Sequence, residues 1–251
     1  MSADTLEMMF REFHLPTMAS RCSQMMQSAE SQNWGYRKLL VELCQAEAGD
    51  RRERKRERLM RESGLPKGKT LGNLEESHLP DKIRRQLPTL LEGGFIERAE
   101  NLLVFGLPGR GKSHFLAALG RELVLRHGMA VLFTPTFKLV QQLLVAKKDL
   151  RLDGLLKKLD RFEAVILDDL GYTQQSREEM EVLFTFLAER YERRTVMVSS
   201  NLVFSKWDQI FKDPMTTMAA VDRLVHHAII LEFNGESLRT GKEKDKKGAT
   251  Q

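Results

Sequence analysis

The sequence predicts an α/β fold, a parallel sheet with helices on both faces, preceded by a small all-helical unit. Two observations carry that prediction. From residue 101 onward, short apolar runs at Leu102 to Phe105, Ala130 to Thr134, Ala164 to Leu167, Val196 to Ser199 and Ala228 to Phe233 alternate with longer stretches of helical period. Unbroken apolar runs of that length mark strands buried on both faces, and parallel neighbours need helical crossovers between them. Before residue 64, by contrast, apolar positions recur every three or four residues, the period of helices packed along one stripe.

At 251 residues the chain is long enough for one well-filled core and a smaller accessory unit. Hydrophobic residues make up 41% and charged residues 30%, with only seven prolines, which excludes a chain disordered throughout. No apolar run reaches the roughly 18 residues that span a bilayer, and no signal-type apolar block opens the chain. The expectation is a cytoplasmic protein without membrane contact. Cys22 and Cys44 are the only cysteines, too few for a metal or disulfide framework, and read as buried thiols in a reducing compartment.

Residues 1–66 form the expected helical domain. Leu6, Met9, Phe10 and Phe13 make a first stripe, Pro16 breaks it, and Met18, Cys22, Met25, Met26 and Ala29 make a second. That methionine-rich stripe reads as core, or else as a partner surface. Asn33 is a candidate N-cap for a third helix with the stripe Tyr36, Leu39, Leu40 and Leu43, and Gly64-Leu65-Pro66 ends it. The net charge of +5 decides little, but Arg51, Arg52, Arg54, Lys55, Arg56, Arg58 and Arg61 crowd this third helix. A basic helix of this kind neutralises phosphates and releases counterions, making Arg51, Arg52, Arg54, Lys55 and Arg58 candidate DNA contacts; the alternative is a solvated helix face. Residues 67–100 read as a linker with a short helix from Asp81 to Leu91. Residues 101–240 are the α/β domain, and residues 241–251 a basic, flexible tail.

The stretch Gly106-Leu107-Pro108-Gly109-Arg110-Gly111-Lys112-Ser113 fits the pattern G-x-x-x-x-G-K-[ST] and follows the first apolar run. Its glycines let successive backbone N–H groups turn inward onto a phosphate, and the helix that follows adds the positive end of its dipole. Lys112 supplies a charge between β- and γ-phosphates, and the Ser113 hydroxyl is a ligand for Mg²⁺. The third apolar run ends in Asp168-Asp169, at the strand end where parallel sheets bind ligands. Asp168 is the second Mg²⁺ ligand, acting through water, and Asp169 the group that orients or deprotonates the attacking water; taken alone, the pair could equally cap a helix. The fourth run ends in Ser199-Ser200-Asn201. Asn201 is a candidate for bonding the γ-phosphate or the attacking water, or it caps a helix over Ser205 to Phe211. His226 and His227 should face apart on a helix, which argues against a metal site there.

Together, Gly106 to His114, Asp168-Asp169, Ser199-Ser200-Asn201 and Asp222-Arg223-Leu224 resemble the AAA+ ATPases of the IstB/DnaC class, in particular the IstB-like transposition helper proteins. The N-terminal pattern of Tyr36, Leu39-Leu40, Glu47, Arg51-Arg52, Gly64-Leu65-Pro66 and Thr70-Leu71 is similar too, so the resemblance spans about residues 5 to 240. It implies a five-stranded sheet of order 5-1-4-3-2 without a C-terminal lid, and an ATPase using ATP and Mg²⁺. It also implies a homo-oligomer with ATP between subunits, binding to double-stranded DNA, and partnership with the transposase of the same insertion sequence. By position, Arg223 resembles the arginine finger that reaches a neighbour's γ-phosphate, although spacing alone favours a helix-surface arginine paired to Asp222 or Glu232. Arg239 resembles a phosphate-sensing arginine, and His114 matches the family's Lys-Ser/Thr-His run, where packing on the helix is the modest reading. Arg110 departs from the family's usual threonine, as a second cation near the phosphates or a solvent-facing side chain. The segment Gly72-Asn73-Leu74-Glu75-Glu76 lacks the usual aromatic residue. A DnaC-type replicative helicase loader is the alternative function, and a small-molecule kinase a more distant one.

Overall fold

A computed structural model describes residues 3–74, 79–171, 176–202, 207 and 221–234, with side chains from residue 5 onward. Arg239, the tail 241–251 and, apart from Trp207, the expected helix Ser205 to Phe211 lie outside the described residues. The chain divides into two compact units, Met1–Arg58 and Leu59–Gln251.

The first unit is helical: α1 (Ala3–Glu12), α2 (Pro16–Ser31) and α3 (Tyr36–Glu62), the last running past the division. Pro16 stands at the start of α2, where its missing N–H costs nothing. The capping position Leu15 offers no side-chain acceptor. Glu47, buried on α3, does that job from thirty residues away, its Oε2 accepting from Thr17 N at 2.8 Å and Met18 N at 3.1 Å. Asn33 does not cap α3. It sits at φ 51° and belongs to the C-terminal turn of α2, its N–H donating to Glu30 O at 3.3 Å, a left-handed position that asparagine tolerates. The stripe on α3 is also narrower than its sequence suggests: Leu43 is buried, but Tyr36 is 90% and Leu40 62% exposed. Cys22 is buried and Cys44 exposed, so only one of the two thiols is interior.

The second unit adds α4 (Asp81–Leu91), α5 (Gly94–Glu97), β1 (Asn101–Phe105), α6 (Lys112–His127), β2 (Val131–Pro135), α7 (Thr136–Lys148), α8 (Leu152–Leu159), β3 (Ala164–Leu170), α9 (Arg177–Arg190), β4 (Thr195–Ser200) and β5 (Ala228–Glu232). The strands lie in the order β2-β3-β4-β1-β5, all parallel. Read from the other edge this is 5-1-4-3-2, the order the resemblance implies.

Alternation along each strand feeds two cores. Leu102 and Val104 of β1, with Ile166, Met197 and Leu231, pack against Phe115, Leu116 and Leu119 of α6 and against α4 and α5. Leu103 and Phe105, with Val165, Leu167 and Val198, pack against Leu139 and Leu143 of α7 and Leu183 and Phe186 of α9. Each such fully buried Leu or Phe contributes about 1.5–3 kcal/mol. Residues 67–100 share in this: Leu74, Leu79, Ile83, Leu87, Leu90, Phe95 and Ile96 all belong to the α6-side core. All strands end on one side of the sheet, and the connections after β1, β3 and β4 carry the motifs read from the sequence.

Candidate nucleotide site

The loop from Gly106 to Gly111 joins β1 to α6. Gly106 holds φ 151°, and a Cβ there would lie 2.6 Å from Phe233 O, so no larger residue fits. Gly111 caps α6 in the left-handed region at φ 88°. The first turn of α6 contains no acidic residue, which leaves its N–H groups and positive dipole end available to an anion. Lys112 is buried, and its ammonium donates to Gly106 O at 2.6 Å and Leu107 O at 3.1 Å. The cation is thereby folded over the bend, bonded to two carbonyls that a phosphate oxygen can outcompete, because charge-assisted bonds are stronger than those to a neutral acceptor.

Opposite stands the end of β3. Asp168 is buried and Asp169 exposed. The strand pairing shifts between Leu167 and Leu170, and Asp169 takes φ 57°. That bulge interrupts the ladder at the two acids, and left-handed strain in a non-glycine residue costs on the order of 1 kcal/mol, typical of functional positions. Ser199 on β4 organises both acids: its hydroxyl donates to Asp168 Oδ1 at 2.5 Å and accepts from Asp169 N at 2.9 Å. Thr136 Oγ1 donates to Asp168 O at 2.9 Å. Among the described residues no hydrogen bond uses Asp168 Oδ2, the oxygen a cation would take. Neither Ser199 nor Thr136 was among the site residues expected from sequence; a serine paired across thirty-one residues leaves no local signal.

β4 also ties the two halves of the site. Ser200 O accepts from Gly106 N at 3.3 Å, and Ser200 Oγ donates to Leu170 O at 2.8 Å. Asn201 therefore leaves the sheet directly between the glycine bend and the β3 acids. Arg110 donates to Phe233 O at 2.9 Å, clamping the loop to the chain after β5. His114 places Nε2 3.0 Å from Thr70 O.

Arg223 lies elsewhere. Asn101 Nδ2 donates to Arg223 O at 3.3 Å and Leu224 O at 3.1 Å, at the start of β1, about 13 Å of strand from its phosphate end. The guanidinium stacks over the Phe184 ring at 4.4 Å. Within one chain, Arg223 and Lys112 are not brought together. Close to Arg223, His226 and His227 do not face apart: they lie in the turn that closes the helical stretch, and their ring centroids are 4.2 Å apart. Both are exposed beside Glu192, and the Tyr191 hydroxyl lies 3.0 Å from His226 Nδ1.

Among the predicted DNA contacts, the structure divides the roles. Arg54 bonds Glu47 Oε1 at 3.2 Å and Thr17 Oγ1 at 3.2 Å, and Arg51 bonds His14 O at 3.0 Å. Arg52, Lys55 and Arg58 are exposed and form no ion pair among the described residues.

Comparison with known proteins bears directly on this arrangement. The family model described as IstB-like ATP binding protein matches residues 8–247. An insertion sequence ATP-binding protein of Sinorhizobium fredii is 40% identical over 93% of this chain and 78% of its own. The insertion sequence IS21 ATP-binding protein of Pseudomonas aeruginosa is 34% identical over 97% of this chain and 91% of its own. Among solved structures, the DnaC helicase loader shares the fold, with a TM-score of 0.52 and 19% identity over 61% of this chain and 89% of that one.

Proposed function

The chain belongs to the family of IstB-like ATP-binding proteins, and from that premise we propose that it is the DNA-binding, ATP-driven helper of an insertion-sequence transposase. It is an ATPase of the AAA+ class, associated with transposition. The proposal adds how the cycle is organised. Lys112 and the loop amides bind the β- and γ-phosphates, Ser113 and, through water, Asp168 would hold Mg²⁺, Asp169 orients the attacking water and Asn201 bonds the γ-phosphate or that water. Mg²⁺ supplies charge neutralisation when bound; the chain supplies position.

One observation carries the assembly reading: Arg223 is anchored at the strand end remote from its own Lys112. Such an arginine stabilises phosphoryl charge only in a neighbouring copy, so ATP sits between subunits of a homo-oligomer. Exposed Arg52, Lys55 and Arg58 support binding of double-stranded DNA through phosphates, without base readout. Nucleotide binding then assembles subunits on DNA, and hydrolysis, in contact with the transposase of the same element, resets the assembly.

The test is a mobility shift of duplex DNA with and without Mg-ATP, at two salt concentrations. Binding should require ATP, weaken steeply with salt and vanish in Lys112→Ala. Equal shifts with and without ATP would remove the coupling. Pull-downs against the element's transposase and against the replicative helicase distinguish the transposition helper from a helicase loader.

A further inference from the structure

The segment that follows α3 in the chain is fastened along α6. Ser63 O accepts from Phe133 N of β2 at 2.7 Å, and Gly64, at φ 65°, passes so near Phe133 O that a Cβ would come within 2.9 Å. Leu65 is buried in the α6-side core. Arg121 donates to Pro66 O at 3.1 Å, and His114 meets Thr70 O at 3.0 Å. His114 and Arg121 are seven residues apart, two helical turns, and so share one face of α6. Residues 63–70 therefore form a strap that runs toward the phosphate end of that helix and finishes against its first turn. Local bonds stiffen it: Leu65 N donates to Ser63 Oγ at 3.1 Å, Lys69 N to Pro66 O at 3.2 Å, and Asn73 Nδ2 to Gly68 O at 3.0 Å.

A carbonyl oxygen only accepts, so the proton of this bond sits on His114 Nε2. His114 is two residues from Lys112 and adjacent to Ser113. Lys112, which bonds the Gly106 and Leu107 carbonyls, stands at the start of the first turn of α6, and His114 is a side chain on that same turn which holds the strap. We infer that His114 is a positioning residue that passes the state of the nucleotide loop to the strap, and through it to the chain segment that ends the basic helix. The DNA half of this inference rests on the function proposed above; the nucleotide half does not. By linkage, whatever ATP does to DNA affinity, DNA does to ATP affinity by the same factor.

Two variants separate the bond from packing. His114→Phe keeps a planar ring and removes the donor, whereas His114→Gln keeps an amide N–H at similar reach. With each protein saturated with a non-hydrolysable Mg-ATP analogue, hydrogen exchange at Leu65, Lys69 and Asn73 is compared with the nucleotide-free state. In the wild type, exchange at these amides should slow by roughly threefold or more. His114→Phe should lose that response and His114→Gln retain it. An unresponsive strap in the wild type, or a full response in His114→Phe, overturns the inference. In the second arm, the analogue should raise duplex DNA affinity of the wild type by roughly fivefold or more, with that ratio near one in His114→Phe and recovered in His114→Gln. A wild type that binds no DNA defeats the DNA-helper reading, and the exchange arm then decides the strap alone.

Discussion

The two ends of the central sheet use their buried charged groups differently. At the N-terminal ends of the strands, polar side chains are spent on main-chain groups. Arg190, buried at 2% exposure, donates to the carbonyls of Leu159, Phe162, Glu163 and Thr195, and the Asn101 side chain bonds the backbone of Arg223, Leu224 and Val196. Desolvation lowers the Arg190 guanidinium to about 9, so it is charged at neutral pH and relies on those carbonyls for compensation. At the C-terminal ends, Lys112 donates to the neutral carbonyls of Gly106 and Leu107, which a phosphate can replace, and the Ser199 bond to Asp168 Oδ1 leaves Oδ2 unused among the described residues. The first arrangement is a staple and the second a binding site, and burial alone would not tell them apart.

The largest effects should come from the replaceable end. Lys112→Ala should lower ATP turnover by roughly a hundredfold or more in a phosphate-release assay. Asp169→Asn should keep Mg-ATP binding by calorimetry and lower turnover by a similar factor, about 10² to 10⁴; undiminished turnover would remove it from the mechanism. Ser199→Ala, which removes the bonds to Asp168 Oδ1 and Asp169 N, should cost about tenfold in turnover and raise the Mg²⁺ concentration needed for half activity. At the stapled end, Arg190→Met should leave nucleotide affinity unchanged and cost about 2–4 kcal/mol in urea unfolding, because four carbonyls lose their donor. A drop in nucleotide affinity with unchanged stability would blur the contrast between the two ends.

How much of this is legible in the sequence follows the same division. The strands at 101–105 and 164–170 and the loop before Lys112 are local patterns: apolar runs and glycine spacing need no knowledge of the rest of the chain. The helix from Asp81 to Leu91 is equally local. What the sequence hides are partners set by topology. Ser199 meets Asp168 across the sheet, Arg110 meets Phe233 123 residues away, and Glu47 caps a helix that begins at residue 16. Strand order brings the first two pairs together, and the antiparallel return of the chain from α2 to α3 brings the third. Asn33 reads locally as an N-cap but falls in the turn that ends α2, and His226-His227 read as helical although they lie in a turn. The basic run reads as one feature along the chain, yet Arg51 and Arg54, though exposed, bond within the helical unit, while Arg52, Lys55 and Arg58 form no ion pair among the described residues.

If one subunit's stapled end completes its neighbour's binding end, the defect of Arg223→Ala and that of Lys112→Ala lie in different halves of each shared site. Each variant alone should hydrolyse almost no ATP. An equal mixture on DNA should regain about a quarter of wild-type turnover, the fraction of head-to-tail interfaces that pair an intact Lys112 with an intact Arg223. A mixture no more active than its two components would contradict a site built from two chains.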